Sequence, residues 1–239
     1  MSKHLVFVSA SLALITLLFY GCRKIDFRDP AKRCKLVETE ARIITWDEWG
    51  NPVKAQFKVD PDATGSPTFH FHYNDKHQLI AYTGYNEHYL TLNANGQAVR
   101  DTMIMNYGGQ DDRYARKISY DLYGRIVKII SEHYYSGMEE LTPPFEKDTS
   151  YFRYDRRGNK ILFGFDNEPL PYDFKTSFYR SHPVFMFVQN DYSLNNLVPT
   201  TEPYQYNEAG LPINFQGSFL EFSGGVDHFV YECGESSLK

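Results

Sequence analysis

A short turn motif recurs along this chain and constrains its fold more than any other feature. An aromatic residue precedes Asp or Asn (Asx), two variable positions and Gly follow, and an apolar segment comes shortly after. In five copies the Asx and glycine positions are Asp47 and Gly50, Asn93 and Gly96, Asp121 and Gly124, Asp155 and Gly158, and Asn207 and Gly210. A sixth copy starts at Asn74 and has His77 in the glycine position.

Each part of the motif favours a β-hairpin. The aromatic residue fits the end of a pleated strand, the Asx side chain can bond the backbone and start a turn, and Gly supplies a positive φ angle. After Gly50, apolar and polar residues alternate from Val53 to Val59, which is the period of a half-buried strand. The sequence therefore predicts an all-β fold, an antiparallel meander of repeated hairpins in a twisted sheet that curls or partly closes.

The motif resembles the tyrosine-aspartate (YD) repeats of Rhs-type bacterial proteins. The chain as a whole is similar to the small YD-repeat lipoproteins of Gram-negative bacteria, over about Trp46 to Ile213. This resemblance implies a hairpin array and no particular activity. In large Rhs proteins such repeats wind into a hollow shell around a toxin. That shell needs many more copies than this chain has, so we do not expect an encapsulating role.

The N-terminal segment predicts export and a lipid anchor. A lysine is followed by an apolar run from Leu5 to Tyr20, shorter than the roughly 20 residues of a membrane-spanning helix. The run ends at Gly21 and Cys22, which resembles the cleavage and lipidation site of lipoproteins. We expect a signal peptide at 1–21, a lipidated Cys22 with a tether over 22–35, and a single β domain over 36–239. Alternatives for 1–21 are an ordinary signal peptide and an uncleaved anchor.

Within the predicted β domain, the sequence distinguishes strands, loops and one long insertion. Residues 36–46 read as the first strand, and Asn106–Asp112 and Ser136–Asp148 read as loops. The proline-rich residues 166–203 read as an insertion of loops with one short helix that partly covers a sheet face.

Composition and motifs exclude some functions. The net charge of −5 argues against a nucleic-acid partner, which requires a basic surface. The sequence shows no nucleophile elbow and no phosphate-binding glycine loop, so we expect no catalytic residues and no cofactor. The leading hypothesis is a non-enzymatic outer-membrane lipoprotein, a scaffold or binding module for a glycan, a peptide or an envelope protein. The first alternative is a purely structural lipoprotein without a small ligand.

Two pairs of side chains are candidate binding residues. Trp46 and Trp49 flank the first turn and could stack on a ligand, although a core role is common for such residues. His70 and His72 point to one face of a strand and could begin a zinc site, in a metal binder or a metal-dependent hydrolase. The aromatic residues between them form the expected core face, which leaves the histidines exposed.

The cysteine count makes a geometric prediction. Lipidation of Cys22 leaves Cys34 and Cys233, which we expect to form a disulfide in an oxidising compartment. Cys34 lies just before the first predicted strand and Cys233 ends the last, and an open sheet of about a dozen strands would separate these strands by roughly 50 Å. Either the sheet curls until its ends meet, or the N-terminal segment crosses to lie beside the last strand.

Overall fold

The computed structural model describes residues 34–58, 67–107, 110–135, 143–164, 167–199, 203–219 and 222–234. The predicted signal peptide (1–21), Cys22 and the tether as far as residue 33 lie outside the described residues. Within the described ranges no helix is long and apolar enough to span a membrane.

The fold is nearly all β, as predicted, and its main element is an antiparallel sheet of 11 strands that does not close. Ten strands run in chain order as a meander, and the last strand returns to pair with the first. The strands of this sheet are β1 (Cys34–Glu38), β2 (Arg42–Trp46), β3 (Pro52–Phe57), β4 (Phe69–Tyr73), β5 (Leu79–Thr83), β6 (Glu87–Leu92), β7 (Ala98–Tyr107), β8 (Gln110–Tyr120), β9 (Ile126–Tyr134), β10 (Glu146–Tyr151) and β15 (Val230–Cys233).

The remaining elements lie between β10 and β15. Two small two-stranded sheets pair β11 (Tyr172–Thr176) with β12 (Asn195–Leu197) and β13 (Asn214–Phe219) with β14 (Phe222–His228). A 3-10 helix (Phe178–Ser181) and α1 (Pro183–Val188) connect β11 to β12. The predicted insertion thus does contain one short α-helix.

The expected disulfide is present, and it needs no closed sheet. Cys34 and Cys233 lie directly opposite each other in the β1–β15 pair, with their Sγ atoms 2.08 Å apart. The sheet is not closed, so the expected partial closure is wrong, and the two cysteines meet because the last strand, β15, pairs with the first, β1. The domain also starts earlier than predicted, since Cys34 and Lys35 belong to β1.

Several predicted boundaries also change. Residues 36–46 form parts of two strands rather than one, with a turn in which Thr39 donates its N–H to the carbonyl of Arg42. Strands β7 and β8 continue through most of the predicted 106–112 loop, and β10 begins at Glu146, inside the second predicted loop.

One face of the sheet carries the core. In β4 the residues alternate between buried and exposed, with Phe69 and Phe71 buried and His70 and His72 exposed. Phe178, Phe185 and Phe187 of the connection between β11 and β12 pack on this face. Burial of each such side chain contributes about 1.5–3 kcal/mol to stability. We call residues 178–194 the cap segment, because they cover the sheet face next to the turns.

In three copies the tyrosine of the motif ties its hairpin to the preceding one. The hydroxyl of Tyr73 donates to the carbonyl of Pro52 at 2.8 Å, that of Tyr120 to Ala98 at 2.8 Å, and that of Tyr154 to Ile126 at 2.9 Å. Each acceptor is the fifth residue after the Asx of the preceding turn. The third copy has Leu92 in the aromatic position and lacks the hydroxyl group. The tyrosine of the motif therefore sets the spacing between hairpins as well as ending a strand.

Candidate functional site

The six motif copies form turns with the same backbone hydrogen bonds, and we number them in chain order. In each turn the Asx N–H donates to the carbonyl four residues on, and the residue in the glycine position donates to the Asx carbonyl. The Asx Oδ1 atom accepts the N–H four residues on at 2.7–3.0 Å. Turns 1 to 6 span 47–51, 74–78, 93–97, 121–125, 155–159 and 207–211.

The glycine position has a positive φ in every copy. The five glycines have φ between 76° and 91°, and His77 has φ 58°. Turn 2 is thus built like the others, and it places a residue with a Cβ in the left-handed region, which costs conformational energy. Gly158 and Gly210 depart from the prediction that the motif joins two sheet strands. Their turns carry only isolated bridges, Tyr154 with Lys160 and Tyr206 with Pro212.

Turns 1 to 5 lie side by side at the end of the sheet where the motif connects the strands, and we call them the turn row. Trp49 of turn 1 contacts the ring of His77 in turn 2, with centroids 4.5 Å apart. The side chain of Gln78 extends over Gly96 so closely that a Cβ there would collide with it. The side chain of Gln97 lies near Gly124 and that of Arg125 near Gly158, 3.3 and 3.5 Å from where a Cβ would stand. In turns 2 to 4 the last residue therefore lies beside the glycine of the next turn.

A groove of about 950 Å³ runs between the turn row and the cap segment. Strand residues next to the turns, Leu79, Leu90 and Leu92, contribute apolar lining, and polar side chains of the turns line one wall. The cap segment supplies Arg180, His182, Pro183, Val184, Met186, Phe187, Tyr192 and Leu194. The groove thus combines an apolar surface with a polar wall, which is typical of sites for small or extended ligands.

Amide groups of the turn row provide hydrogen-bond donors. In turn 2 the Oε1 atom of Gln78 accepts from the side chain of Asn74 at 3.0 Å, and in turn 3 that of Gln97 accepts from Asn93 at 3.2 Å. These bonds orient both amides so that each Nε2 group lies next to the following turn. Among the described residues neither Nε2 group has an acceptor, so both can donate to a ligand in the groove.

Arg125 is held rigidly at the centre of the turn row. Its Nε donates to Asp121 Oδ2 at 2.8 Å, and its guanidinium lies 4.2 Å from the ring centroid of Tyr154 and 5.0 Å from that of Tyr123. Burial raises the pKa of Asp121, but the hydrogen bonds from Arg125 outweigh it and hold that pKa below its usual value. Tyr123 is 84% exposed, so one face of its ring is available to a ligand.

The cap segment presents neutral side chains beside Arg180. Burial lowers the pKa of His182 to about 4, and the nearby Lys35 lowers it further against the opposing effect of Asp47, so this histidine is uncharged at neutral pH. Burial raises the pKa of Tyr120 to about 12 and also raises that of Tyr192, which shares a hydrogen bond with it. Both tyrosines keep their protons near pH 7. Apart from His77 and the uncharged His182, the basic side chains of the groove lining are all arginines.

The predicted binding residues occupy different environments. Trp46 is partly buried, donates its Nε1–H to the carbonyl of Leu36 at 3.0 Å, and packs edge-on against Phe185 with ring centroids 5.9 Å apart. It stabilises the contact between sheet and cap segment. Trp49 is 65% exposed at the tip of turn 1 and does not line the groove, but it contacts His77, which does.

The candidate metal pair lies on the face opposite the core. Burial lowers the pKa of His70, as do the charges of Lys54 and His72. His88 and His133 belong to the core face, because the strand register aligns them with Phe71 and not with His72. The described residues include no group of three or more His, Cys, Asp or Glu side chains placed to bind a metal.

A buried charged cluster borders the groove on the core face. Asp101 accepts from His88 Nδ1 at 3.1 Å and from Arg116, and His88 stacks on Tyr82 with ring centroids 4.1 Å apart. Burial raises the pKa of Asp101, but His88 and Arg116 outweigh it, so its pKa lies below the usual value. Within this network Arg116 compensates the negative charge of Asp101. The network stabilises the packing of β5 to β8.

Comparison with known proteins does not assign this site. No model of a known protein family matches the sequence, and no curated protein matches it as a relative.

The groove is the site that sequence reasoning missed. Four of its polar residues, Asn51, Gln78, Gln97 and Arg125, occupy the position after the motif glycine, or after His77 in turn 2, whereas Asn159 at this position of turn 5 is buried. A polar residue recurring at one motif position is a signal that the sequence contains.

Proposed function

We propose that this protein is a non-enzymatic lipoprotein of the outer membrane that binds polysaccharide chains in the groove between the turn row and the cap segment. The observation that carries the proposal is the polar wall: amides of Gln78 and Gln97 that lack acceptors among the described residues, next to the exposed ring of Tyr123. Sugars offer many hydroxyl groups for planar polar side chains and an apolar ring face for an aromatic one.

The turn row suits a glycan better than a peptide. Peptides usually bind by adding a strand to a sheet edge or by placing apolar anchors in pockets. The turns present no row of open backbone groups, because the Asx residues and the glycine positions already bond within each turn. Side-chain amides and guanidinium groups are what the turn row offers, and these recognise hydroxyl and carbonyl oxygens.

An array of bacterial and plant polysaccharides, probed with the mature protein, tests this proposal. We expect binding to a subset of the glycans and about a tenfold loss of affinity in Tyr123→Ala, as for an aromatic residue at the centre of a binding site. Tyr151→Ala is the matched control, because Tyr151 is also an exposed tyrosine (70%) but does not line the groove. A protein that binds no glycan would favour the purely structural alternative, and metal analysis of the same sample tests the alternative at His70 and His72.

The location rests on the lipidation signal and has its own test. We expect Cys22→Ala to move the protein from the membrane fraction to a soluble fraction and to abolish labelling by a radioactive fatty acid. Absence of label in the unaltered protein would contradict the lipid anchor and leave the groove proposal untouched.

A further inference from the structure

The groove concentrates positive charge on a protein that is acidic as a whole. Its lining includes Arg125, Arg156, Arg157 and Arg180 but a single acidic residue, Asp155. The complete chain carries a formal charge of −5. Four guanidinium groups around one groove therefore stand out against the rest of the surface and attract anions.

The four arginines differ in how far neighbouring groups neutralise them. Arg125 forms an ion pair with Asp121 at 2.7 Å, and Arg157 lies 3.8 Å from a carboxylate oxygen of Asp155. Arg156 is exposed and has no hydrogen bond or ion pair with any residue in the described part of the chain. Arg180 adds a positive charge from the cap segment, on the opposite wall. Among these arginines Arg156 therefore offers a ligand a charge that no residue in the described part of the chain neutralises.

Guanidinium groups and amides select a particular kind of anion. The planar fork of an arginine matches a carboxylate with two parallel hydrogen bonds. The Nε2 groups of Gln78 and Gln97 match the hydroxyl and ring oxygens beside such a carboxylate. The turns repeat side by side at one end of the strands. Their hydrogen-bond donors therefore form a row, which suits a ligand whose own groups also repeat.

We propose that the ligand is a polysaccharide containing uronic acids, whose carboxylates pair with Arg156. This inference rests on the proposed glycan-binding function and specifies its substrate class. Arg125, held between Tyr123 and Tyr154, positions the tyrosine ring on which a sugar of the chain stacks. Binding depends on ionic strength, because salt screens the exposed arginine.

Paired ligands test the charge requirement directly. The mature protein is titrated with oligomers of galacturonic acid and of mannuronic acid, and with the methyl ester of each, which has the same sugars without the charge. We expect at least one acid to bind, its ester to bind at least tenfold more weakly, and the affinity for the acid to fall as salt is raised. An ester that binds as well as its acid, or an array positive only for neutral, sulfated or phosphorylated glycans, would overturn the uronic-acid assignment while the glycan-binding function stands. If no glycan binds at all, the proposed function fails too.

Variants of Arg156 separate charge from geometry. Arg156→Gln should weaken acid binding about tenfold, and Arg156→Lys, which keeps the charge without the planar fork, should restore only part of it. Arg113→Gln is the matched control, since Arg113 is an exposed arginine of β8 that does not line the groove. Equal affinities for Arg156→Gln and Arg113→Gln would contradict the pairing, and unchanged thermal unfolding of all three variants excludes loss of fold as the cause.

Discussion

The first four turns and the last two use the same motif but produce different structures. Turns 1 to 4 each join two neighbouring strands of the large sheet, and the β8–β9 pair around turn 4 aligns eight residues of each strand. Turns 5 and 6 have the same hydrogen bonds and similar φ angles at Gly158 and Gly210, yet each is flanked by one isolated bridge. The motif therefore specifies a turn, and the residues around it decide whether a ladder follows.

The small number of residues between turn 5 and the next turn explains part of this difference. After turn 5 the chain turns again at Gly164, whose N–H donates to the carbonyl of Glu168, while Asn167 donates to Gly164 and has φ 63°. This additional turn has the motif's backbone bonds without its Asx side chain. Too few residues separate the two turns for a long strand to form. The chain that follows builds the cap segment, which forms one wall of the groove, and turn 5 joins the turns of the regular region in the other wall.

The largest expected effect concerns the bond that joins the two regions. The Cys34–Cys233 disulfide attaches the last strand, at the end of the irregular region, to the first strand of the regular one. Replacing both cysteines with alanine should reduce the free energy of unfolding by on the order of 5 kcal/mol, because the disulfide closes a very long loop in the unfolded chain. Urea unfolding of the oxidised protein and of the double variant measures this. Equal midpoints would show that β15 contributes little to holding the sheet and the irregular region together.

The next effect concerns pH and the cap segment. In the folded protein His182 has a pKa of about 4, against a usual value of 6.5. Between these pH values the unfolded chain therefore binds one more proton than the folded protein. The free energy of unfolding consequently falls as the pH drops through this range. The loss reaches up to about 3 kcal/mol at the lower end. His182→Asn should remove this part of the pH dependence, since asparagine can still accept the N–H of Val184 at the start of α1 but does not titrate in this range. The same slope in both proteins would place the histidine in a solvated environment.

Substitution of turn glycines compares the regions directly. Gly124→Val and Gly210→Val force a β-branched residue into nearly the same positive φ, 76° and 78°. We expect a loss of about 1–3 kcal/mol at Gly124 and clearly less at Gly210, because the isolated bridge beside turn 6 can open without disrupting the sheet. Leu122→Val, at the fully exposed tip of turn 4, controls for an added β-branched residue. Similar losses at both glycines would mean that the two regions unfold as one unit.

The smallest effect tests the bonds between hairpins. Tyr73→Phe removes the hydroxyl that donates to the carbonyl of Pro52, which should cost about 1 kcal/mol. Tyr151→Phe, on the exposed edge strand β10, should cost nearly nothing. Chemical unfolding of the two variants side by side measures the difference. No difference would show that the tyrosine acts through packing alone.

The sequence predicted the turns well because their determinants are local. Asp121 and Gly124 lie within one turn, so their chemistry can be interpreted without knowing the fold. The return of β15 to β1 and the contact of the cap segment with the sheet depend on residues far apart in sequence, such as Trp46 and Phe185. The hydroxyl bond from Tyr120 to Ala98 was also missed, because an aromatic residue at a strand end has an adequate local explanation. The groove joins both kinds of region, so no single stretch of sequence predicts it.

Hydrogen exchange with and without a bound glycan tests the central claim, that the turn row and the cap segment are the two walls of one binding site. The account predicts increased protection on both walls, in the turns at 74–78, 93–97, 121–125 and 155–159 and in the cap segment at 178–194. Protection centred on the opposite face, around His70 and His72, or confined to one wall, would contradict it.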